Sequence, residues 1–426
     1  MDNFIRTKRV SLWGIGYLGY TTLLQLQDSG ILVTIADLSG RMEKKLISKE
    51  YPNHQQISSW SKSGKVPSID ISKVEVGDEV DKMFQNSIHI ISFPNSKNGE
   101  DYKKLAELFL KNLDKLNNPL IIFQSAGEPN GIQENFLNYL NGKLKVDAVT
   151  LFRSDWSIEE FVQKSQRFIS GTSEKAIERA EEFLKFLDIK PKRLSSIEEA
   201  EIFENVKNGL SYTISAFFNQ LSLAYSHIDF EKLSKMVLEY NSFQNISIGV
   251  TGVDYKSEQS IENIFKKSEG NFLSILQEAN RTNISFLFYY TNLLKQKGIE
   301  SVTIMGLSSF GTIRDLKFSP SLILAEYLQK EGVKVEIYDS NFSFDEVAKI
   351  LPNLKKIQFQ EINSEAVILM HISNSEKFLT QKDIEDSGVF KAKYIFDNVG
   401  FFEQYSFSNS TIYHKFGDGN LQKVKK

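Results

Sequence analysis

A glycine-rich segment near the start of the chain constrains the fold more than any other feature. An apolar run at 9–13 precedes it, and residues 17–29 after it have helix-compatible apolar spacing. A second apolar run, 31–36, ends at Asp37. The order strand, glycine turn, helix, strand and acid is typical of a unit that binds a dinucleotide. The segment itself is Gly14-Ile15-Gly16-Tyr17-Leu18-Gly19.

Each glycine of this segment, and the acid after it, has a physical role in such a layout. The first glycine permits a tight turn, the second lets backbone N–H groups approach a pyrophosphate, and the third packs the helix against the strand. The carboxylate of Asp37 would accept hydrogen bonds from a ribose diol and repel a 2′-phosphate, which favours NAD over NADP. Arg41, four residues further on, leaves NADP open. The predicted cofactor-binding residues of this segment are Gly14, Gly16, Tyr17, Leu18, Gly19 and Asp37.

Length and charge narrow the class of protein. The chain has 426 residues, 41% hydrophobic and 25% charged, with a net charge of −3. This length predicts two or three domains, and the charge gives no general attraction to nucleic acid or to anionic membranes. The histidines are scattered without metal-ligand spacing, so no metal site is predicted. We see no transmembrane-length apolar run and no secretory signal at the start, and we expect a cytoplasmic protein.

The sequence contains no cysteine. Disulfides, thiolate metal sites and a thiol nucleophile are therefore all excluded.

Alternating apolar runs and helical patterns predict an α/β protein. The fold class we expect is two Rossmann-like, doubly wound parallel-sheet domains joined by a long central helix. The helix begins near Ile197, where apolar residues recur every three or four positions, and such a helix usually packs against another domain or a partner subunit. The predicted domains are a cofactor-binding domain at 1–195, a central helical dimerisation and substrate domain at 196–295, and a C-terminal α/β domain at 296–426.

Further landmarks follow the glycine turn in a characteristic order. They are Phe93-Pro94 at a strand end, Gln124-Ser125 before a Pro/Gly loop, Ala200-Glu201-Ile202 ahead of Asn208 and Asn219, Gly306-Leu307, Ser319-Pro320 and Tyr338-Asp339. With the glycine turn, they make the chain resemble the nucleotide-sugar dehydrogenases of the UDP-glucose/GDP-mannose dehydrogenase family over nearly its whole length. The resemblance implies NAD in the first domain, the nucleotide of a UDP- or GDP-sugar in the third, and a homodimer paired through the central helix. It adds Pro94 and Ser125 to the cofactor-binding residues.

The chain departs from this family at the catalytic nucleophile. The resemblance implies oxidation of a primary alcohol to a carboxylate in two hydride transfers, through a thioester on the cysteine of Gly-Gly-x-Cys-x-x-Lys-Asp. The corresponding residues, 249–257, contain no cysteine. One alignment places Asp254 at the nucleophile position, and a shift by one residue retains Lys256 but places Val253 there. A carboxylate such as Asp254 can at most activate a water.

A second departure concerns the family lysine on the central helix, which is replaced by Glu204. Lys207 lies one turn further along, and residues three and four apart share one side of a helix, so Glu204, Lys207 and Asn208 are expected to face one pocket. Asp155 replaces the acid of the family's Pro-Glu-Phe-Leu segment. By this resemblance the catalytic candidates are Asp155, Glu204, Lys207, Asn208 and Asp254, and the substrate-binding candidates are Lys256 and Lys317, the latter in place of an arginine.

Three functions remain open at this point. The chain is an NAD-dependent oxidoreductase acting on a nucleotide sugar, or a catalytically silent paralogue that binds NAD, nucleotide sugar or both as a scaffold or regulatory subunit. The third possibility is another dehydrogenase with a central dimerising helix, such as a hydroxy-acid type. The third domain disfavours it, because that plan does not require residues 306–339.

Overall fold

The computed structural model divides the chain into two compact units, residues 1–206 and 207–426. Each unit contains one β-sheet. The three-domain division predicted above stays a prediction. The structure describes residues 2–38, 68–76, 80–93, 99–116, 118–125, 128–153, 166–240, 274–308, 316, 319–350, 352–372, 376–421 and 424.

The first unit has an eight-stranded sheet with the order β3-β2-β1-β4-β5-β6-β7-β8. All neighbouring strands are parallel except β6 and β7, which are antiparallel. The first six positions reproduce the strand order of a Rossmann fold, with a topological switch point between β1 and β4. The strands are β1 Arg9–Trp13, β2 Leu32–Ala36, β3 Val74–Val76, β4 Ile88–Ile91, β5 Leu120–Phe123, β6 Asp147–Arg153, β7 Arg167–Gly171 and β8 Lys192–Arg193.

Helices cover both faces of this sheet. Successive strand residues point to opposite faces, so Leu12 packs with Leu23 and Phe183 on one side. Trp13 packs with Phe109 on the other side. The sheet is therefore doubly wound. The helices of this unit are α1 Asp2–Thr7, α2 Tyr17–Asp28, α3 Val80–Met83, α4 Glu100–Lys111, α5 Asn138–Leu140 and α6 Glu174–Phe186.

A single long helix, α7 Ile197–Ala224, crosses the boundary between the units in the sequence. This is the predicted central helix. Apolar residues at helical spacing continue in the sequence to residue 240, but a turn at 225–229 separates α7 from α8 Phe230–Tyr240. The next helix within the described ranges, α9 Ser274–Gln296, belongs to the second unit.

The second unit has a six-stranded, entirely parallel sheet with the order β11-β10-β9-β12-β13-β14. It repeats the Rossmann order of the first unit. Apolar cores lie on both faces, one containing Phe286 and Leu324, the other Ile384 and Phe402. The strands are β9 Ser301–Met305, β10 Lys334–Tyr338, β11 Lys355–Lys356, β12 Ala366–Leu369, β13 Tyr394–Asp397 and β14 Ile412–Lys415, and the remaining helices are α10 Pro320–Lys330, α11 Phe344–Ile350 and α12 Gln381–Asp386.

The architecture confirms the predicted fold class of two Rossmann-like units and a long central helix. Within the ranges that the structure describes, no helix combines the length and apolarity needed to cross a membrane.

Candidate dinucleotide-binding site

The glycine turn lies between β1 and α2 and is built by two of its glycines. Gly14 has a φ of +88°, a conformation that favours glycine, and its N–H donates to the carbonyl oxygen of Ala36 at 2.8 Å. A Cβ added to Gly19 would lie 1.9 Å from the carbonyl oxygen of Gly14. The third glycine therefore lets the helix pack directly on the turn, as the sequence predicts.

Gly16 differs from Gly14 and Gly19 because no described residue crowds it. It is the N-cap of α2 and, having no side chain, makes no side-chain capping hydrogen bond. A Cβ added to Gly16 would meet no atom of the described residues within 4 Å. The N–H groups of a first helical turn have no partner within the helix and carry partial positive charge, which suits a pyrophosphate. This end of α2 therefore fits the predicted cofactor.

Asp37 comes directly after β2, and its side chain is half-buried. The turn after β1 is held against β2 by the bond from Gly14 to Ala36. On the other side of β1, the N–H of Ser92 donates to the carbonyl oxygen of Trp13 at 2.8 Å. The carboxyl ends of β2, β1 and β4 thus form one edge around the switch point, where open α/β sheets bind ligands.

A buried polar cluster, consisting of Thr22, Ser92 and Gln124, lies at this edge. The Gln124 side-chain oxygen Oε1 accepts hydrogen bonds from the hydroxyls of Thr22 at 2.7 Å and Ser92 at 2.8 Å. The three residues come from α2 and from the ends of β4 and β5. The cluster therefore joins the helix of the glycine turn to the two strands beyond it.

Ser125, predicted to bind the cofactor, follows Gln124 and is half-buried. Its carbonyl oxygen accepts a hydrogen bond from the buried Tyr102 hydroxyl at 3.4 Å. Burial and the nearby Glu201 carboxylate raise the pKa of Tyr102. Glu201, itself fully buried on α7, accepts a hydrogen bond from the N–H of Ile132 at 3.1 Å. These contacts hold the segments on either side of the Pro/Gly loop.

The central helix carries three catalytic candidates. Glu204 belongs to α7 in the first unit, and its side chain lies outside the described part of the chain. Lys207 and Asn208 follow on the same helix in the second unit, where Asn208 is buried and Lys207 half-buried. Their convergence on one pocket stays a prediction.

Five other candidates lie outside the described residues, and their roles stay predictions. These residues are the catalytic candidates Asp155 and Asp254, the substrate-binding candidates Lys256 and Lys317, and the cofactor-binding candidate Pro94. For Tyr17, the structure describes only the backbone at the start of α2.

The second unit contains a similar turn after β9. Gly306 also has a φ of +88°, and its N–H donates to the carbonyl oxygen of Tyr338 at 2.9 Å. Asp339 follows β10 as Asp37 follows β2, but its carboxylate accepts hydrogen bonds from the N–H groups of Leu307 and Asn341, both at 2.7 Å. Burial raises the pKa of Asp339 to about 6, against the opposing effect of these two donors. Both of its oxygens thus serve the turn itself.

Three residue pairs carry the resemblance in this unit, and they contact one another: Gly306-Leu307, Ser319-Pro320 and Tyr338-Asp339. Ser319 caps α10, and its hydroxyl donates to the carbonyl oxygen of Leu307. Ser321 donates to the carbonyl oxygen of Gly306 at 2.6 Å. With Asp339 bonded to Leu307, the Gly-Leu, Ser-Pro and Tyr-Asp segments form one structural element.

The polar cluster of Thr22, Ser92 and Gln124 is absent from the residues predicted to form the site. A signal for it exists in the sequence, because Ser92 and Gln124 each follow a buried parallel strand directly. Carboxyl ends of parallel strands share one edge of the sheet. The contribution of Thr22 has no comparable signal, since it lies within an apolar helix.

The fold and the turn define a protein of two Rossmann-type α/β units, the first with a site suited to a dinucleotide. The sequence matches no protein-family model. It is 22% identical over 414 residues to a UDP-N-acetyl-D-mannosamine dehydrogenase of Methanococcus vannielii, covering 92% of each chain. The resemblance to nucleotide-sugar dehydrogenases is thus confirmed by a curated relative.

Solved structures agree on the fold. The UDP-D-ManNAc dehydrogenase of Pyrococcus horikoshii superimposes with a TM-score of 0.70 at 18% identity, covering 97% of this chain and 100% of that one. The UDP-glucose dehydrogenase of Pyrobaculum islandicum gives a TM-score of 0.71 at 14% identity, covering 95% and 96%. The chain therefore has the fold of the nucleotide-sugar dehydrogenases.

Proposed function

We propose that the protein is an NAD-dependent oxidoreductase of the nucleotide-sugar dehydrogenase type, acting on a CH–OH group of a UDP- or GDP-sugar. The observation that carries this proposal is the N-terminus of α2 at Gly16, which no described residue crowds, in a unit where Asp37 directly follows β2. The names of the curated relative and of the structures with the same fold support the substrate class.

The residues fit the cofactor at defined positions. The glycine turn would hold the pyrophosphate, and Asp37 would bind the adenosine ribose. Ser125, at the end of β5, would contact the half of the cofactor on the other side of the pyrophosphate. When bound, NAD accepts a hydride from the alcohol carbon. The chain must supply a base for the hydroxyl proton, and Asp155, Glu204, Lys207 and Asp254 are the proposed candidates. Asn208 is proposed to orient substrate or water.

The lack of cysteine limits the second oxidation. A nucleophilic thiol divides the conversion of aldehyde to acid into two easier steps, and this chain has no thiol. Either the reaction stops after one hydride transfer, or a carboxylate such as Asp254 activates a water to form the hydrate. The same observation favours the alternative function, a silent paralogue that binds NAD or nucleotide sugar without turnover.

The test is NADH formation, followed by absorbance, with a panel of UDP-, GDP- and dTDP-sugars. About two NADH per sugar consumed indicates an acid reached through water, and about one indicates a single oxidation. Gly16→Val, which places a side chain where the pyrophosphate would lie, is expected to abolish both NAD binding and turnover. Turnover that survives Gly16→Val contradicts the cofactor site, and NAD binding without turnover on any sugar favours the silent paralogue.

We also propose that two copies of the chain pair through α7. Ile202, Val206, Leu210 and Phe217 are spaced along this helix and are between 41% and 58% exposed. Large apolar side chains in one contiguous stripe are typical of an interface. The resemblance to dimeric dehydrogenases supports the same assignment.

A further inference from the structure

Asparagine followed by glycine is a chemically reactive pair that occurs at several places in this chain. The glycine nitrogen can attack the side-chain carbonyl carbon of the asparagine, because glycine has no side chain to hinder the approach. The sequence contains four such pairs, at 98–99, 130–131, 141–142 and 208–209. The structure describes both residues of the last three pairs. The same dipeptide in three different surroundings shows what the fold adds to its reactivity.

The pair Asn141-Gly142 lies in the turn between α5 and β6. Both residues are exposed, and both have a left-handed backbone, with φ of +48° and +67°. A Cβ added to Gly142 would meet no atom of the described residues within 4 Å. Within the part of the chain that the structure describes, no hydrogen bond engages the Asn141 side chain or the Gly142 N–H. Little therefore opposes the approach of the two reacting groups in this surface turn.

The pair Asn130-Gly131 is held more firmly. Gly131 is buried, and its N–H donates to the carbonyl oxygen of Glu128 at 2.8 Å. The half-buried Asn130 side chain donates to the Glu134 carboxylate at 3.5 Å. The attack would have to break the backbone bond, and an intramolecular hydrogen bond contributes about 0.5–1.5 kcal/mol. This pair should react more slowly than the pair at 141–142.

The pair Asn208-Gly209 lies within the long helix α7, and both of its residues are buried. Inside an α-helix each N–H donates to the carbonyl oxygen four residues earlier, so the Gly209 nitrogen is engaged by the helix itself. Attack on the Asn208 side chain would require the helix to open locally. Opening of a packed helix costs more free energy than rearrangement of a surface turn.

We propose that Asn141 is the site at which this fold selects spontaneous deamidation. The Gly142 nitrogen loses its proton to the solvent and forms a bond to Cγ of Asn141. The bond from Cγ to Nδ2 breaks, ammonia leaves, and a cyclic succinimide remains. Water then adds at one of the two ring carbonyl carbons and breaks its bond to nitrogen, which gives aspartate or isoaspartate. One water is consumed for each ammonia released, and nothing is oxidised or reduced.

The fold confines the consequence to the turn. Isoaspartate lengthens the main chain before β6, but Asp147 at the start of β6 pairs with Arg179 of α6. The N–H of Asp147 also donates to the carbonyl oxygen of Pro119 at 3.0 Å. Because β6 is parallel to β5, this end of the strand lies at the edge opposite the glycine turn. The modification therefore adds a negative charge away from the candidate ligand-binding edge.

The test incubates the folded chain in mildly alkaline buffer and digests samples taken over time. Peptide mass spectrometry measures the acid form of each pair, and a carboxyl methyltransferase specific for isoaspartate labels that product. We expect Asn141 to react at least about tenfold faster than Asn130 or Asn208, which corresponds to a barrier difference of about 1.4 kcal/mol. Anion exchange should separate the modified chain, because its formal net charge of −3 is lowered by one unit.

The same chain unfolded in urea is the matched control. Unfolding removes the hydrogen bonds and burial that distinguish the pairs, so the three rates should then agree within about twofold. Asn141→Gln retains an amide but would have to form a larger ring, and it should lose the isoaspartate label in the peptide that contains residue 141. Similar rates for Asn141 and Asn130 in the folded chain overturn the inference. The same ratio of rates in folded and unfolded chains, or an undiminished label in Asn141→Gln, overturns it as well.

Discussion

His89 on β4 is a fully buried imidazole. Its Nδ1 accepts a hydrogen bond from the indole Nε1 of Trp13 at 3.2 Å, and the rings of Phe84 and Phe109 pack around it. Burial lowers the pKa of His89 to about 3, with a smaller opposing effect from the Asn86 backbone. The native state thus holds a neutral histidine that the unfolded chain protonates below about pH 6.5.

This difference predicts acid destabilisation. The unfolded state binds one more proton than the native state between pH 6.5 and 3, so stability is full above pH 6.5 and is lost as pH falls through this window. The contribution of His89 to the slope approaches about 1.4 kcal/mol per pH unit. His89→Asn places an oxygen at the position of Nδ1 and cannot titrate, so its unfolding free energy should fall less between pH 6.5 and 4.5.

Urea unfolding of both proteins at several pH values measures this slope. Tryptophan fluorescence is a suitable signal, because Trp13 contacts residue 89 directly. Identical slopes for the two proteins would show that His89 is not neutral in the folded chain.

Among the site residues, the sequence predicts the glycines well because their role depends on local backbone geometry. Gly14 and Gly19 have the predicted functions, turn and helix packing, and neither needs a distant partner to be recognised. The contacts of the Gln124 side chain with Thr22 and Ser92 have no such local signal, because the fold brings these residues together from separate parts of the sequence.

At the scale of elements, the β1–turn–α2 unit contains two glycines with different surroundings, Gly16 and Gly19. The Gly16 backbone, with φ of −71° and ψ of −172°, is accessible to any residue, and a Cβ there would contact none of the residues that the structure describes. A Cβ on Gly19 meets backbone atoms of Gly14, which cannot move like a flexible side chain. Gly16 is therefore expected to serve ligand binding, and Gly19 to serve the packing of the fold.

Alanine substitutions at the two positions test this distinction. Gly19→Ala should reduce the unfolding free energy of the first unit by about 1–3 kcal/mol, because the helix must move away from the turn. Gly16→Ala should change it by less than about 0.5 kcal/mol while weakening NAD binding, since only the ligand's space is reduced. Chemical denaturation followed by circular dichroism measures both. Equal destabilisation by the two variants would contradict the assignment.

The elements show where sequence patterns are informative. The boundaries of β1 match the predicted run at 9–13, because a buried strand is a short apolar segment with clear ends. The apolar spacing of residues 105–116 predicts a helix there, but the observed helix is Glu100–Lys111, since Gly99 in the left-handed region precedes it and a separate turn contains Leu113. The antiparallel direction of β7 has no sequence signal, because an apolar run does not specify the direction of its neighbour.

At the scale of the whole molecule, α7 buries several polar side chains and leaves several large apolar ones exposed. Glu201, Asn205, Asn208 and Asn219 are buried, although they are polar. Asn219 donates to Asn283 of α9 at 2.9 Å within the second unit. The stripe of Ile202, Val206, Leu210 and Phe217 is exposed. In a monomer this arrangement leaves apolar surface in water, whereas a second copy of the helix would cover it.

The proposed dimer therefore has a direct test in solution. Phe217→Asp places a carboxylate in the stripe, and two-fold symmetry repeats the change on both subunits, so two charges would lose water in the interface. We expect a dimer for the unaltered chain and a monomer for Phe217→Asp in sedimentation equilibrium. Phe378→Asp is the matched control, because Phe378 is 81% exposed and lies away from α7 in the sequence. A monomeric unaltered chain, or loss of the dimer in the control, would show that the stripe on α7 is not the subunit interface.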